Sequence, residues 1–364
     1  MSGPQRSDDE FWSAQVEDYL GALERGDRTA ALGRVGRLRQ EGHSVLTLVH
    51  RLLAPAQLRV GELWATDAWS VAQEHAATAV SEVVLHSLAE ERRTQPSGRR
   101  DAPSLVVTCV EQEWHALPAL MVSEQLRAEG FEVTYLGANS SAQGLVRHVH
   151  ETGPAAVLLS CSLSTYLPLL RRQLEAVRET GTPVVVGGGA FDAEGRRARL
   201  LGASGFATSA GTVAEVVRAL PAAVPPAEPL SHPGAAEAFL VFGEREQLAD
   251  RVTELVLEAL GETSQAPGAR RWLQVLDDQL PHLVGSVAGA LVVDEPAMVA
   301  EAVGWTTQVL HHRGAPEGIG AILHEAMRSA HRDLPVTTRM LAPAPAPSPS
   351  PTPAPAPGPR PAAS

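Results

Sequence analysis

Cysteine is scarce in this chain: two residues in 364, Cys109 and Cys161. Both sit in apolar, strand-like runs, and no CxxC pair exists. That argues against a thiolate zinc or iron–sulfur centre. The two thiols read as small buried hydrophobes in a reducing compartment. Long apolar runs are missing as well. No stretch approaches the ~18 apolar residues that a membrane-crossing helix needs. Met1–Glu10 is polar and acidic, with neither an apolar signal core nor a twin-arginine pattern, so a soluble cytoplasmic protein is expected. Positive charge is short: 30 Lys and Arg against 42 Asp and Glu, a net charge of -12. That argues against direct binding of nucleic acid, which relies on clustered cations. Arg92-Arg93 and Arg99-Arg100 lie at a Pro/Ser/Gly-rich stretch, Gln95–Pro103, that reads as a solvated linker. Neither G-x-G-x-x-G nor a phosphate-loop Gly-Lys-Ser/Thr is present, so nicotinamide and nucleoside triphosphate sites are disfavoured.

What is present divides into α/β and all-α parts. Residues 11–93 carry four helical patterns, beginning at Phe11, Asp27, Ser44 and Ser70, and predict an N-terminal four-helix bundle. Residues 103–221 change character. Ser104–Val110, Phe131–Leu136, Ala155–Cys161 and Pro183–Val186 are apolar, β-branched runs, with Phe206–Thr208 a weaker fifth. Helical patterns separate them. This alternation predicts a doubly wound parallel sheet of the flavodoxin-like or Rossmann type. A Pro/Ala-rich linker is expected at 221–234. Residues 235–335 return to helix, with patterns at Glu237–Leu260, Ala269–Val292, Pro296–His311 and Pro316–Arg332. Residues 342–364, rich in Pro, Ala and Ser, are expected to be an extended, disordered tail.

Open α/β sheets bind ligands beyond the carboxyl ends of their strands. The first strand run leads into Glu111-Gln112-Glu113-Trp114-His115-Ala116-Leu117-Pro118. A histidine there points out of the sheet top. Glu113, two residues earlier, can accept from one ring nitrogen, fix the tautomer and raise the basicity of the other. Alone, such a histidine is more often a surface residue. The third strand ends in Ser160-Cys161-Ser162-Leu163-Ser164 and the fourth in Gly187-Gly188-Gly189. Small residues at neighbouring strand ends predict an open slot in which a large ligand can approach the backbone.

Glu-x-His-x-x-Pro, then a serine-rich turn, then a glycine run, resembles the D-x-H-x-x-G … S-x-L … G-G pattern of cobalamin-binding domains. The resemblance implies that His115 is the lower cobalt ligand and Glu113 its orienting group. It further implies that Ser160, Ser162, Leu163, Gly187 and Gly188 line the slot for the displaced nucleotide tail. Glu113 replaces the family's Asp, and Pro118 replaces its Gly. Pro suits a first helical turn but narrows the approach to the corrin. Gly137-Ala138-Asn139 stands where the family has Gly-Ala after its second strand. In the helical region, Trp64 is followed after nine residues by Glu74-His75. This W-x9-E-H spacing resembles the cap bundle of cobalamin-dependent photoreceptors, the light-sensing repressors of carotenoid synthesis. There the Trp lies over the upper cobalt face, and the Glu and His line the same pocket. Those repressors begin with a helix-turn-helix domain. Here the bundle begins near residue 11, so none is expected. They also carry a histidine directly after the Trp, where this chain has Ala65. His75 is the candidate for an upper ligand after illumination.

The helices of 235–335 carry Arg270, Arg271, His282, His311, His312, Arg313, His324 and His331. These form either a solvated basic face or a pocket for an anionic conjugated ligand. The order of cap bundle, corrinoid domain and helical C-terminal domain resembles the photocobilins, cobalamin photoreceptors that also hold a bilin. The resemblance implies adenosylcobalamin as cofactor, with biliverdin as a non-covalent second chromophore. The expected activity is not enzymatic. Light would cleave the cobalt–carbon bond and signal through conformation, a homo-oligomer or an effector protein. The alternatives are a corrinoid methyl carrier of a methyltransferase system and a cobalamin store without chemistry.

Overall fold

A computed structural model describes residues 8–93, 102–266 and 268–342. The Pro/Ala/Ser tail beyond residue 342 and most of the Gln95–Pro103 linker lie outside the described residues.

The N-terminal bundle comprises α1 (Asp8–Glu24), α2 (Arg28–Gln40), α3 (Val45–Leu48), α4 (Ala54–Ala65) and α5 (Val71–Arg93). Its starts are capped as the sequence dictates. Asp27 accepts the Ala30 N–H at 2.9 Å, and Ser44 accepts that of Thr47 at 3.0 Å. The single helix expected from Ser44 contains a π-helical turn, Val49–Leu53, joining α3 to α4. Ala54 donates five residues back to the Val49 carbonyl, and the next residue, Pro55, has no N–H to give. A wider turn at that point accommodates the missing donor. The bundle core contains Tyr19, Leu23, Leu38, Leu52 and Leu85, all buried.

The sheet consists of β1 (Ser104–Cys109), β2 (Glu132–Gly137), β3 (Ala156–Ser160), β4 (Val184–Gly187) and β5 (Gly205–Ala207). All pairings are parallel, in the order β2-β1-β3-β4-β5. The chain reverses direction across the sheet between β1 and β3, which is where such folds place a ligand. Between the strands run α6 (Ala116–Ala128), α7 (Ala142–Thr152), α8 (Leu167–Arg178), α9 (Arg196–Leu200) and α10 (Val213–Arg218). The two-residue period of a strand sorts the core into two layers. Leu105, Val107 and Cys109 face α6 and α10. Val106 and Val110 face α7 and α8. α6 is buried on two sides: Ala119 and Leu126 meet the sheet, while Leu117, Leu120 and Met121 complete the core of the bundle. The bundle is therefore seated on the helix that His115 starts.

The C-terminal part comprises α11 (Gly234–Gly243), α12 (Arg245–Leu260), α13 (Ala269–Val293), α14 (Ala297–His312), α15 (Ile319–Ala330) and α16 (Pro335–Met340). The one helix expected over Glu237–Leu260 is thus two, divided at Glu244, and α16 lies past the expected end. α13 is buried on every side from Leu283 to Val293, as expected of a helix with no polar face. It does not form the centre of a separate lobe. Its residues share one apolar core with α7, α8 and a face of the sheet. The expected linker over 221–234 is packed down on that core. Val224 N–H donates to the Gly181 carbonyl at 2.9 Å, and Arg178 donates to that of Pro225 at 2.7 Å. Buried Arg171 donates to Glu228, and Leu230 packs on the core. No helix among the described residues is long and apolar enough to cross a membrane.

Candidate functional site

The β1–α6 loop and the turn after β3 meet at the reversal point of the sheet. His115 is the N-cap residue of α6, and its side chain is 55% exposed. Its Nδ1–H donates to Oε1 of Glu113, which also accepts the His115 main-chain N–H at 3.1 Å. Oε2 of Glu113 accepts the N–H groups of Ser162 at 2.9 Å and Leu163 at 3.2 Å. A carboxylate has about four acceptor positions, and in fully buried Glu113 all four are filled. Burial would raise the Glu113 pKa. The hydrogen bond and charge of His115, with the Ser162 N–H, outweigh it and hold the carboxyl below the ordinary 4.5. Its hydrogen bond to His115 lifts the imidazole pKa above 6.5 against the opposing effect of burial, and the charges of Glu113 and Glu74 add to the lift. With Nδ1 fixed, Nε2 is the free ring nitrogen. A single imidazole backed by carboxylate suits a metal whose other positions a macrocycle fills. The donor chemistry thus fits a cobalt corrinoid.

Two residues around this loop hold uncommon backbone conformations. Gln112 and Asn139 have φ of 68° and 53°, in the left-handed region that few non-glycine residues enter. They lock the two loops together: Gln112 N–H donates to Asn139 Oδ1 at 2.8 Å, and Asn139 N–H to the Glu113 carbonyl at 3.1 Å. Buried Gln173 adds a clamp, accepting from Glu111 N–H at 2.9 Å and donating to the Ser140 carbonyl at 2.6 Å. Gln112 and Asn139 stand in loops that the sequence singles out, but neither they nor Gln173 belong to a spaced motif that would announce the clamp.

The glycines after β4 meet the protein's own backbone. A Cβ on Gly188, whose φ is 114°, would collide with the Cys161 carbonyl oxygen. On Gly189 it would lie 2.9 Å from the Ser162 carbonyl oxygen, and on Gly187 2.9 Å from that of Ala207. Ser160 pairs with Gly187 at the strand ends. Ser160, Ser162, Leu163, Gly187 and Gly188 therefore lie together, and the glycines here let β4 approach β3 and β5. Both cysteines are free and fully buried, and burial pushes the Cys109 thiol up to about 12.

The bundle residues divide. Glu74 is half-buried, accepts from Thr78 Oγ1 at 3.0 Å and stands close enough to His115 to affect its charge. His75 is 74% exposed, and its Nε2 lies 3.4 Å from Glu74. Trp64 stacks on Trp305 of α14, with ring centroids 5.8 Å apart, under the guanidinium of Arg313. These long-range partners carry no local sequence signal. The Arg and His side chains of the C-terminal part do not gather on one face. Arg313 is buried against α4 and Arg271 pairs with Asp67 at 2.6 Å, while His331 is buried within its own helix and His311 and His312 face outward. His282 of α13 faces the site. Its ring is edge-on to Tyr166 at 6.3 Å, and it senses the charges of His115, Arg245 and Glu113.

Comparison with known proteins agrees with this geometry. Residues 103–220 match the family model of the B12 binding domain, and residues 15–88 match a second model of the same description. Together they span more than half of the chain. The HTH-type transcriptional repressor CarH of Myxococcus xanthus is 34% identical over 142 residues. That match covers 38% of this chain and 46% of the repressor, so the chain spans under half of that relative. Among solved structures, the Methanosarcina barkeri monomethylamine corrinoid protein overlaps 56% of the chain and 97% of its own length, at 16% identity and a TM-score of 0.48. A cobalamin-binding protein from Desulfitobacterium hafniense DCB-2 does so over 56% and 97%, at 20% identity and a TM-score of 0.32. With its helical region and its five-stranded sheet both matched, the chain belongs to the cobalamin-binding protein family.

Proposed function

We propose that this chain is a cytoplasmic cobalamin photoreceptor rather than an enzyme, with His115 as the lower cobalt ligand and the C-terminal helices as its output. The observation that carries the reading is the position of Trp64. It belongs to the matched bundle, yet its ring and main chain are held by Trp305 and Arg313 of the C-terminal helices. An indole that covers a bound corrinoid and touches a second element is suited to reporting what lies beneath it. It also hinders a second substrate, which disfavours methyl carriage.

Bound adenosylcobalamin would supply a light-sensitive cobalt–carbon bond. The protein's share is to hold and to report. His115 presents Nε2 while Glu113 fixes its tautomer. Ser162 and Leu163 hold Glu113, and their neighbours Ser160, Gly187 and Gly188 line the tail slot. Glu74 and His75 stand with Trp64 on the bundle side. A change in what Trp64 covers would alter its packing against Trp305. Such a signal requires the two states to differ in their contacts with the ligand. A non-covalent bilin such as biliverdin would extend the response to longer wavelengths. That part of the reading rests on domain order alone. Output would pass through oligomeric state or an effector protein.

The test is illumination of cobalamin-loaded protein with green and then red light, with and without biliverdin. A spectral change with altered gel-filtration elution supports the reading. Unchanged spectra and elution, with dark reactivity toward methyl donors, would favour the methyl carrier. For the ligand, His115→Ala is expected to shift the bound spectrum, and Trp64→Ala to alter photolysis while leaving binding largely intact.

A further inference from the structure

α4 ends at Ala65, and a helix leaves its last carbonyls without partners of its own. Thr66 and Trp69 serve Glu62 and Leu63 through their main-chain N–H groups. The Trp64 carbonyl accepts the Asp67 N–H at 3.0 Å, and it and the Ala65 carbonyl also accept from a residue 249 and 248 positions away. Arg313 Nη2 donates to the Trp64 carbonyl at 2.7 Å, and Nη1 donates to that of Ala65 at 3.2 Å. Nη1 also donates to the Val309 carbonyl at 2.9 Å, tying the same fork to α14. The guanidinium carbon lies 5.0 Å from the centre of the Trp64 ring. Asp67, at 3.9 Å, is the carboxylate beside it, and Arg271 holds Asp67 in turn.

Arg313 is 6% exposed. Burying a cation costs several kcal/mol before its partners offset it. A neutral side chain would fill this space at less cost, so the cation's contribution is geometry. It fixes the main chain and the ring plane of one residue, Trp64. Trp305 stacks on that ring, with the centroids 5.8 Å apart. Trp305 is 45% exposed and borders a cavity of about 90 Å³, lined by Ala65, Thr66, Gln308, Val309 and His312. Trp305 therefore has open space beside it.

We infer that Arg313 is a positioning residue for Trp64, and that the Trp64–Trp305 stack it maintains is the joint between the bundle and the C-terminal helices. The inference rests on the reading above only in taking Trp64 to cover the corrinoid. The latch itself exists without cofactor. Lysine cannot substitute, since one ammonium lacks the planar fork that serves two carbonyls while lying on a ring.

The test uses the full chain, first without cobalamin. Two indoles stacked this closely should give an exciton couplet in ultraviolet circular dichroism. Trp64→Phe and Trp305→Phe should each abolish it, which establishes its source. Arg313→Lys is expected to lose the couplet while retaining cooperative unfolding, and a couplet of wild-type amplitude in that variant overturns the inference. If Arg313→Lys does not fold, Asp67→Asn loosens the same grip more gently. A reduced couplet there supports the latch, and an unchanged one overturns it. In cobalamin-loaded protein, light should change amide exchange in α14 of wild type, and Arg313→Lys should lose that change. If Trp64→Ala leaves corrinoid photolysis unaltered, the covering role of Trp64 fails, while the couplet still decides the latch.

Discussion

The wholly buried carboxylate of Glu113 lies behind the half-exposed imidazole of His115 and is bonded to its Nδ1. The glutamate faces four N–H donors: two from His115 and the main-chain groups of Ser162 and Leu163. Glu113→Gln replaces one oxygen by an NH₂ group, so the two donors that meet that oxygen face another donor. An unpaired buried donor costs about 1–3 kcal/mol, and loss of the carboxylate behind a ligating histidine weakens metal affinity about 10–100-fold. Both effects are expected. Urea unfolding of the apoprotein reads the first, and absorbance titration with hydroxocobalamin reads the second.

The same pair sets a pH dependence. Cobalt binding at Nε2 requires the imidazole to shed a proton, and the hydrogen bond to Glu113 moves that step above 6.5. Ligation through His115 should weaken as the pH falls through the raised value. Glu113→Gln should shift the transition downward. Apoprotein stability follows the opposite sense for the histidine. Its contribution is complete below 6.5 and fades as the pH rises through the raised folded value. Glu113 contributes fully above 4.5 and loses its share as the pH falls through its lowered folded value. Unfolding of wild type and His115→Ala across that range should diverge most between the two transitions. Parallel curves would show that the pair adds nothing.

Gly188→Ala tests the turn after β4. The added Cβ meets the Cys161 carbonyl oxygen, which is backbone and cannot rotate away, and φ is 114°. Left-handed strain and overpacking each cost about 1–3 kcal/mol. The expected loss is therefore about 3 kcal/mol or more, read by denaturant unfolding. A loss below about 1 kcal/mol would mean that β3 and β4 separate easily there.

The alternation of apolar and helical runs foretold the sheet, because strand and helix periods are local properties of sequence. Glu113 and His115 were legible for the same reason: two residues apart, their meeting needs only one loop. The remainder depends on distance along the chain. Nothing near Trp64 announces Trp305 or Arg313. The 221–234 segment reads as a linker by composition, yet Arg171 and Arg178 hold its carbonyls and tie it to the core. Glycine was ambiguous in another way. The run at 187–189 suggested room for a ligand, but a residue without Cβ equally admits a neighbouring strand, and an added Cβ at each of the three would meet main-chain oxygens of the neighbouring segments.

Gly285→Ala should connect the C-terminal helices to the cobalt ligand. Gly285 and Gly289 of α13 bring that helix against Thr165 and Ser164, and Ser164 Oγ donates to Ser286 Oγ at 2.9 Å. Those two residues directly follow Ser162 and Leu163, whose N–H groups hold Glu113. A Cβ at 285 would collide with Thr165 Oγ1, which has no hydrogen-bond partner among the described residues, and would lie 2.9 Å from Thr165 Cβ, which rotation of the hydroxyl cannot relieve. The turn must then move away from α13 and carry the Glu113 anchor with it. Overpacking of this kind costs about 1–3 kcal/mol. The distinguishing readout is spectroscopic. If α13 sets the turn, the spectrum of bound cobalamin should shift toward that of His115→Ala in protein that remains folded. A stability loss with an unshifted spectrum would show that the turn absorbs the methyl group without disturbing Glu113.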